Sequence, residues 1–312
     1  MLRFPVFAMF FLLTAASWSA ADAQQKPSRP QPSQCQAIAQ SLPKATFASF
    51  SGEGATPAND PVDGDVKITF LGHATLFIET PGGVSIATDF SGAYPPPYTP
   101  EVVTMNKAHP SHYTLTPDPT IKYVLHGWSD TPGEPAKIHL TVGDTLIRNV
   151  VTDIRSWGGG GIEPNGNSIF IFEVAGLCIG HLGHLHFELT DQQYAEIGRL
   201  DVVMVPVDGG LTMGADSMSR VVKRLRSSLI LPMHRWGPPV DQFLALFGPD
   251  FDVAYAPTAS VTVVLNVQSS NGKAVPTPQC CVSPFGQRID EGRRIVLSVA
   301  LPAIEPRRHQ LR

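Results

Sequence analysis

Apolar and polar positions alternate along several short stretches in the first half of the chain. The run Val66-Lys67-Ile68-Thr69-Phe70 is the clearest example, and a period of two is what a strand with one buried face requires. The turn residues Pro81-Gly82-Gly83 separate two further stretches and predict a hairpin. By the same pattern we predict strands over residues 66–70, 75–79, 84–88, 102–105, 122–125, 137–142, 145–153, 168–173 and 177–180.

Strands alternate with helices in the second half. Thr190 followed by Gln193 is a capping-box pattern and predicts a helix of about two turns. Residues 201–207 are almost continuously apolar, which indicates a strand buried on both faces. A further short strand is predicted over 229–231.

Two more helices follow from apolar periodicity. Asp216 is predicted to cap the first of them, and its apolar face consists of Met218, Val221, Val222 and Leu225. The second is predicted over residues 239–247. Hairpins followed by alternating strands and helices predict an α/β fold, a sheet sandwich with helices on its outer faces.

The N-terminus has the build of a secretory signal peptide. A basic start, a short apolar run and the cleavage motif Ala21-Asp22-Ala23 predict removal of residues 1–23. Residues 24–61, rich in Pro, Ser, Gln and Ala, are predicted to form a flexible N-terminal arm. We assign residues 62–305 to one folded domain. The expected location is periplasmic or secreted, with no membrane association after signal removal.

Composition narrows the functional classes. Hydrophobic residues make up 43% of the chain, enough for a sizeable core, and the net charge is −4 without a basic stripe. Nucleic-acid binding is therefore not expected. Cys178 lies in an apolar stretch and is expected to be a buried thiol, whereas Cys35 is expected to pair with Cys280 or Cys281. Which of the two it pairs with stays open.

Three groups of histidines follow predicted strands. Strand ends in layered α/β proteins open on the same rim, so these loops are expected to converge. Imidazole is the commonest metal-binding side chain near neutral pH, which predicts a metal site, although each histidine taken alone could be a hydrogen-bonded loop or core residue. The groups are His109 with His112, then His181, His184 and His186, and finally His234.

An ordered set of short motifs resembles the metallo-β-lactamase superfamily. The resemblance covers roughly residues 66–251 and is closest to the branch of ascorbate-6-phosphate lactonase and related zinc-dependent hydrolases. It implies a four-layer αββα sandwich with a metal site at one edge. The motifs are Thr69-Phe70-Leu71-Gly72-His73-Ala74-Thr75, Thr88-Asp89, the loop 103–113, Gly180-His181-Leu182-Gly183, Val205-Pro206-Val207-Asp208-Gly209-Gly210 and Leu231-Pro232-Met233-His234.

The chain departs from the family's His-x-His-x-Asp-His loop at two positions. Lys107 stands at the first histidine and Ser111 at the aspartate, while His109 and His112 match. The family's next histidine has no counterpart near residues 152–155, where Asp153 is the candidate substitute. A lysine ammonium has no lone pair to give a metal. One of the family's two metal positions is thus expected to be empty.

The resemblance implies a single metal position held by His109, His112, His181 and His234. His181 falls in the stretch of the family's bridging carboxylate, and His234 matches its last histidine. Three or four imidazoles suit one zinc ion, with other divalent metals also possible.

Further residues are expected around that position. Asp208 is the candidate catalytic group, with a plain turn residue as the alternative. Asp89 is expected to orient a ligand imidazole, and His73 and His184 to support the site or the substrate. Lys107 is expected either to bind an anionic substrate group or to place its own charge in the vacated metal position.

The predicted function is hydrolysis of a small-molecule ester, lactone, amide or phosphoester by a metal-dependent enzyme. A catalytically degenerate binding protein on the same fold, in the periplasm, is the alternative, because Lys107 and Ser111 replace family ligands. A metal-free periplasmic solute-binding protein would need two similar lobes, and the sequence shows no such repeat.

Overall fold

Two β-sheets face each other across a shared apolar core. The computed structural model describes residues 31–39, 64–156, 160–208, 210–234, 240–247, 251–256, 259–263, 267–270, 273–276 and 294–299. Apolar side chains of both sheets meet in this core, among them Ile68, Ile147, Phe170 and Met204. The predicted α/β sandwich is confirmed.

The first sheet is mixed. Its strands are β1 (Val66–Gly72), β2 (Thr75–Glu79), β3 (Ser85–Ala87), β4 (Val102–Met105), β5 (Tyr123–His126) and β13 (Ser260–Val263). Their order is β13-β1-β2-β3-β4-β5. β3, β4 and β5 run parallel, and the remaining pairs are antiparallel.

The second sheet begins with antiparallel hairpins and continues with parallel strands. It contains β6 (His139–Val142), β7 (Thr145–Arg155), β8 (Ile162–Val174), β9 (Leu177–His181), β10 (Val202–Pro206), β11 (Leu229–Met233), β12 (Phe251–Ala256) and β16 (Arg294–Val299). The order is β12-β16-β11-β10-β9-β8-β7-β6, and β14 (Val267–Ser270) with β15 (Lys273–Pro276) forms a separate pair.

β8 begins earlier than the predicted strand over 168–173. Pro164, Asn165 and Gly166 suggest a loop, yet they belong to β8. The pairing of β7 with β8 shifts register between Thr152 and Ile154. Such an irregularity lets turn-forming residues stay within a ladder.

The described helices cover one face of the second sheet. Side chains from α1 (Gln34–Ala39), α2 (Asp191–Ile197), α3 (Ala215–Leu225) and α4 (Val240–Leu244) pack with apolar residues of that sheet. The outer face of the first sheet instead meets loop residues such as Phe90 and Ile121 within the described ranges. The outer layer there is therefore formed by loops rather than by a described helix.

Two helix starts test the predicted caps. Thr190 and Gln193 form the predicted capping box at α2. The predicted cap Asp216 is wrong, because α3 begins earlier: Gly214 is the N-cap and Asp216 lies in the first turn. A carboxylate there still interacts favourably with the helix dipole. The predicted apolar face of α3 is buried.

A disulfide joins Cys35 to Cys178, with their Cα atoms 6.0 Å apart. The predictions of a free Cys178 thiol and of a Cys35 bond to Cys280 or Cys281 are therefore wrong. Residues 31–39 are docked on the domain: Ser33 Oγ donates to Glu173 at 2.6 Å, and Gln34 N donates to the same carboxylate at 2.8 Å. This docking, which composition does not reveal, brings Cys35 beside β9.

Removing both cysteines of this bond is expected to destabilise the domain. The bond spans 143 residues of sequence, and a cross-link of this kind typically contributes about 2–4 kcal/mol by restricting the unfolded chain. Urea unfolding of the Cys35→Ala, Cys178→Ala variant should show this loss, and reduced wild-type protein should show the same loss. An unchanged midpoint would contradict the bond.

Among the described residues, no helix is both long and apolar enough to cross a bilayer. The predicted signal segment 1–23 lies outside the described residues, as do Cys280 and Cys281.

Candidate metal centre

The predicted histidine loops converge at one edge of the sandwich. His109 and His112 follow β4, His184 follows β9, and His234 follows β11. The turn between β1 and β2 adds His73, whose carbonyl oxygen accepts a 2.6 Å hydrogen bond from the backbone N–H of His234. This backbone contact joins loops from the two sheets.

Four imidazoles come within metal-binding distance of one another. One ring nitrogen from each of His73, His109, His112 and His234 lies within 4.8 Å of those of the others. His112 and His234 are buried, whereas His73 and His109 are partly exposed. His73, which the sequence places in a supporting role, is thus brought among the candidate ligands.

A second group shares His234 with the first. Its ligand atoms come from His184, Asp208 and His234, again within 4.8 Å of one another, and all three side chains are buried. Gly183 positions His184, because a Cβ at this residue, with φ +62°, would lie 2.3 Å from Asn167 Oδ1. The same amide oxygen accepts the His184 backbone N–H at 2.8 Å.

Asp89 holds His112 in place. The Asp89 Oδ2 atom accepts a 2.7 Å hydrogen bond from His112 Nδ1, and Asn106 Nδ2 donates to Oδ1 at 2.8 Å. Burial alone raises the pKa of Asp89, but the neighbouring His181 and His112 outweigh it and the pKa lies below its usual value. The carboxylate therefore stays ionised and directs Nε2 of His112 toward the other imidazoles. This contact is the one expected for Asp89.

Asp208 lies against His234. Its Oδ2 atom is 2.6 Å from His234 Nδ1, while Oδ1 accepts the backbone N–H groups of Gly210 at 2.8 Å and Thr212 at 3.0 Å. Burial raises the pKa of Asp208, but His234 and these N–H donors lower it to about 2 overall. Asp208 thus combines the turn role with a place in the site.

Buried ring nitrogens show that this arrangement fits a metal. Nε2 of His112 and Nε2 of His234 are buried without a hydrogen-bond partner, whereas Nδ1 of His234 lies 2.6 Å from the Asp208 carboxylate. An unsatisfied buried polar atom costs about 1–3 kcal/mol. Lone pairs of neutral imidazoles are good ligands for zinc and several other divalent metals, which would satisfy these atoms.

His181 is not brought into either group. Its Nε2 donates to the carbonyl oxygen of Ala74 at 2.9 Å, and its Nδ1 accepts the N–H of Gly183 at 3.1 Å. Both nitrogens are therefore engaged by backbone groups in the interior. The geometry corrects the ligand assignment of His181, and His184 is the member of that loop which joins the site.

The two departures from the family loop have local partners. The Lys107 ammonium forms an ion pair with Glu163. Ser111 Oγ lies 2.8 Å from His73 Nε2 and 2.6 Å from His109 Nδ1. Ser111 thus links two candidate ligands, and Lys107 is already paired. Asp153 is exposed and accepts the N–H of Asn165, so it does not replace the missing histidine.

Two contacts of the site were missed from the sequence. His186 Nε2 lies 2.8 Å from His184 Nδ1, and the Arg155 backbone N–H donates to His186 Nδ1 at 2.7 Å. The His-x-His spacing of 184 and 186 was visible, but nothing in it indicates that the two rings touch. Arg155 carries no sequence signal at all, since its backbone makes the contact.

Burial keeps these imidazoles neutral. Burial is the main cause that lowers the pKa of His73 to about 3, and nearby His234 lowers it further. Burial likewise lowers the pKa of His109 and of His186 to about 4, with His112 adding to the effect at His109 and Arg155 at His186. The pKa of His184 is lowered for the same main reason.

The metal-free protein is therefore expected to lose stability as the pH falls below 6.5. A histidine whose pKa is lowered in the folded protein binds fewer protons there than in the unfolded chain. The resulting loss of folding free energy is absent above pH 6.5 and grows as the pH falls toward the folded-state pKa values of about 3 to 4. Urea midpoints of chelator-treated protein should fall between pH 7.5 and 5. Equal midpoints at both pH values would contradict burial of neutral histidines.

Comparisons with known proteins agree with this fold. The Beta-lactamase superfamily domain family matches residues 67–234, and the chain belongs to this family. A UPF0173 metal-dependent hydrolase from Pyrococcus furiosus is 27% identical over 209 residues, covering 59% of this chain and 92% of the relative. Another from Methanoculleus marisnigri is 26% identical over 54% of this chain and 80% of its own length.

Two solved structures are also similar to this chain. A Thermotoga maritima protein of the metallo-beta-lactamase superfamily has 27% identity and a TM-score of 0.48, over 75% of this chain and all of its own. Igni18, a metallo hydrolase from Ignicoccus hospitalis, has 19% identity and a TM-score of 0.43, over 59% of this chain and 91% of its own. The predicted class, a metal-dependent hydrolase of the metallo-β-lactamase fold, is confirmed. The narrower lactonase branch stays a prediction.

Proposed function

We propose that the chain hydrolyses a small uncharged molecule at one zinc ion held by His109, His112 and His234. The observation that carries this proposal is the set of buried, unpartnered nitrogens of His112 and His234. They face the partly exposed His109 within the same group. When bound, zinc supplies a Lewis acid that polarises a carbonyl or phosphoryl group.

The protein's own residues hold this arrangement in place. Asp89 orients His112 through Nδ1, and Asp208 touches His234 while the N–H groups of Gly210 and Thr212 fix its other oxygen. We assign Asp208 the role of orienting His234 and of placing negative charge beside the reacting group. Asp208 could in principle also accept a proton during the reaction. Its pKa of about 2 makes it a weak base, which favours the orienting role.

Contacts at the rim favour uncharged substrates. Because Lys107 is paired with Glu163, it is not a free cation for a phosphate or carboxylate. Esters, lactones and amides are therefore the first substrates to test, and phosphoesters the second.

We further propose that the protein works in the periplasm or is secreted. The pattern of residues 1–23 supports export. The Cys35–Cys178 disulfide also supports it, because such bonds persist in oxidising compartments.

One observation favours a binding protein without turnover as the second candidate. Ser111 stands where the family has an aspartate, and its hydroxyl is hydrogen-bonded to His73 and His109. A site could then bind metal or ligand without a group to assist the reaction.

Metal content and turnover separate the two candidates. Untagged protein should carry about one zinc per chain by mass spectrometry and should hydrolyse at least one member of an ester, lactone and amide panel. Two metals per chain would contradict the single site. Bound zinc without turnover would favour the binding protein, and no metal after zinc incubation would overturn the proposal.

A further inference from the structure

A continuous line of hydrogen bonds runs through four histidines and one serine. It starts at the backbone N–H of Arg155, 2.7 Å from His186 Nδ1, and passes from His186 Nε2 to His184 Nδ1 at 2.8 Å. It continues from His184 Nε2 to His109 Nε2 at 3.1 Å. Through Ser111 Oγ it reaches His109 Nδ1 at 2.6 Å and His73 Nε2 at 2.8 Å.

The first donor fixes the direction of the whole line. A backbone N–H can only donate, so Nδ1 of His186 carries a lone pair and the ring proton is on Nε2. That proton points at His184 Nδ1, which must therefore accept, so the proton of His184 is on Nε2. No change of charge enters this argument.

The same rule then sets the rest of the line. Nε2 of His109 accepts from His184, so the His109 proton is on Nδ1 and is donated to Ser111 Oγ. The Ser111 hydroxyl is left to donate to His73 Nε2. Each imidazole is thereby held as one neutral tautomer.

The anchor of the line is held on two sides. The Arg155 guanidinium donates to the carbonyl oxygens of Gly210, Leu211 and Thr212 at 3.0, 2.5 and 2.6 Å. In the sheet, Arg155 pairs with Ile162 of β8. The backbone N–H therefore cannot swing away from His186 without breaking these contacts.

From this line we infer that His184 is a hydrogen-bond donor aimed into the metal position, and not a metal ligand. Its Nδ1 lone pair is occupied by His186, and its Nε2 carries a proton directed at the lone pair of His109. Without His184, the group of His184, Asp208 and His234 keeps only two candidate ligands. One metal position then remains. The substrate contact of the His184 N–H rests on the proposed function.

The donor has a defined use at that position. Once the lone pair of His109 is given to a metal, the His184 N–H is free to donate to a substrate oxygen beside the metal. His186 and Arg155 act through His184 and are positioning residues. The expected substrate therefore presents a hydrogen-bond acceptor, such as an ester or lactone carbonyl, next to the ion.

Nitrogen NMR tests the tautomers without any metal. In chelator-treated protein labelled with ¹⁵N-histidine, two-bond proton–nitrogen correlations should place the proton of His184 on Nε2 and that of His109 on Nδ1. His186→Ala should abolish the single tautomer of His184, whereas His139→Ala, at an exposed ring that contacts Gln31 O, should leave it unchanged. A proton on Nδ1 of wild-type His184 would overturn the inference.

Zinc titration tests the ligand assignment. His184→Gln keeps a side-chain N–H donor and removes no ligand, so the zinc Kd should rise by at most about 10–100-fold, whereas His112→Gln removes a ligand and should raise it by more than that. An equal loss in both variants would make His184 a ligand and overturn the inference. If wild-type protein binds no zinc, the proposed function fails while the NMR result still decides the direction of the line.

Discussion

His234→Ala is expected to abolish zinc binding. His234 is the one described residue that belongs to both groups of candidate ligands, and its Nε2 is buried without a hydrogen-bond partner. Removing it deletes a ligand and leaves the buried Asp208 carboxylate beside an empty space. Zinc per chain, measured by mass spectrometry after dialysis against zinc-containing buffer, should fall from about one to near zero.

His181→Ala is the matched control. His181 is as fully buried as His234, but its nitrogens bind the backbone of Ala74 and Gly183. This variant should lose stability and keep its zinc. If His181→Ala loses the metal as completely as His234→Ala does, His181 is a ligand, as the family resemblance implies, and the ligand set without it is wrong.

Glu173→Ala is expected to be the most destabilising single change outside the metal centre. Glu173 and Arg148 form a buried ion pair, with side chains only 6% and 5% exposed. Removing one partner of such a pair costs about 3–5 kcal/mol, because the other charge is left without compensation. The same carboxylate accepts from Ser33 and Gln34, so the N-terminal segment should also loosen. Urea unfolding and proteolysis of residues 31–39 measure the two effects.

Glu79→Ala provides the comparison for an exposed pair. Glu79 binds Lys67, whose side chain is 51% exposed, and such pairs contribute about 0–1 kcal/mol. Equal losses in the two variants would mean that the buried pair is no more important than the surface one.

Local patterns were sufficient for much of the fold. The alternation in β1 and β2 and the capping box at Thr190 reflect interactions between residues close in sequence, and these elements lie where the pattern placed them. β8 begins earlier than predicted, because Ile162 and Glu163 pair with β7 beyond a register shift that residues 164–166 span.

The site was predictable in its location and only partly in its membership. Strand ends brought His109, His112 and His234 together, as the loop positions suggested. The sequence could not separate His181 from His184, because the side-chain direction of each depends on where β9 ends and on the turn at Gly183. The contact of the Arg155 backbone N–H with His186 could not be predicted, because nearly every residue type carries a backbone N–H.

The disulfide shows the same limit. The sequence predicted a bond from Cys35 to Cys280 or Cys281, whereas its partner Cys178 follows from the contacts that dock residues 31–39 on Glu173. Contacts between residues so far apart in sequence have no local pattern.

His73, Asp89 and His234 have left-handed backbone, with φ values of 52°, 42° and 50°. For residues other than glycine such conformations cost about 1–3 kcal/mol each, and they persist where the surrounding structure demands them. At these positions the backbone conformation that the metal centre requires therefore lowers the thermal stability of the protein. A search for thermostable variants of this protein should return glycine at the partly exposed His73, and that variant should be more stable and bind metal less well, whereas buried His234 should not be returned, because its removal leaves a cavity.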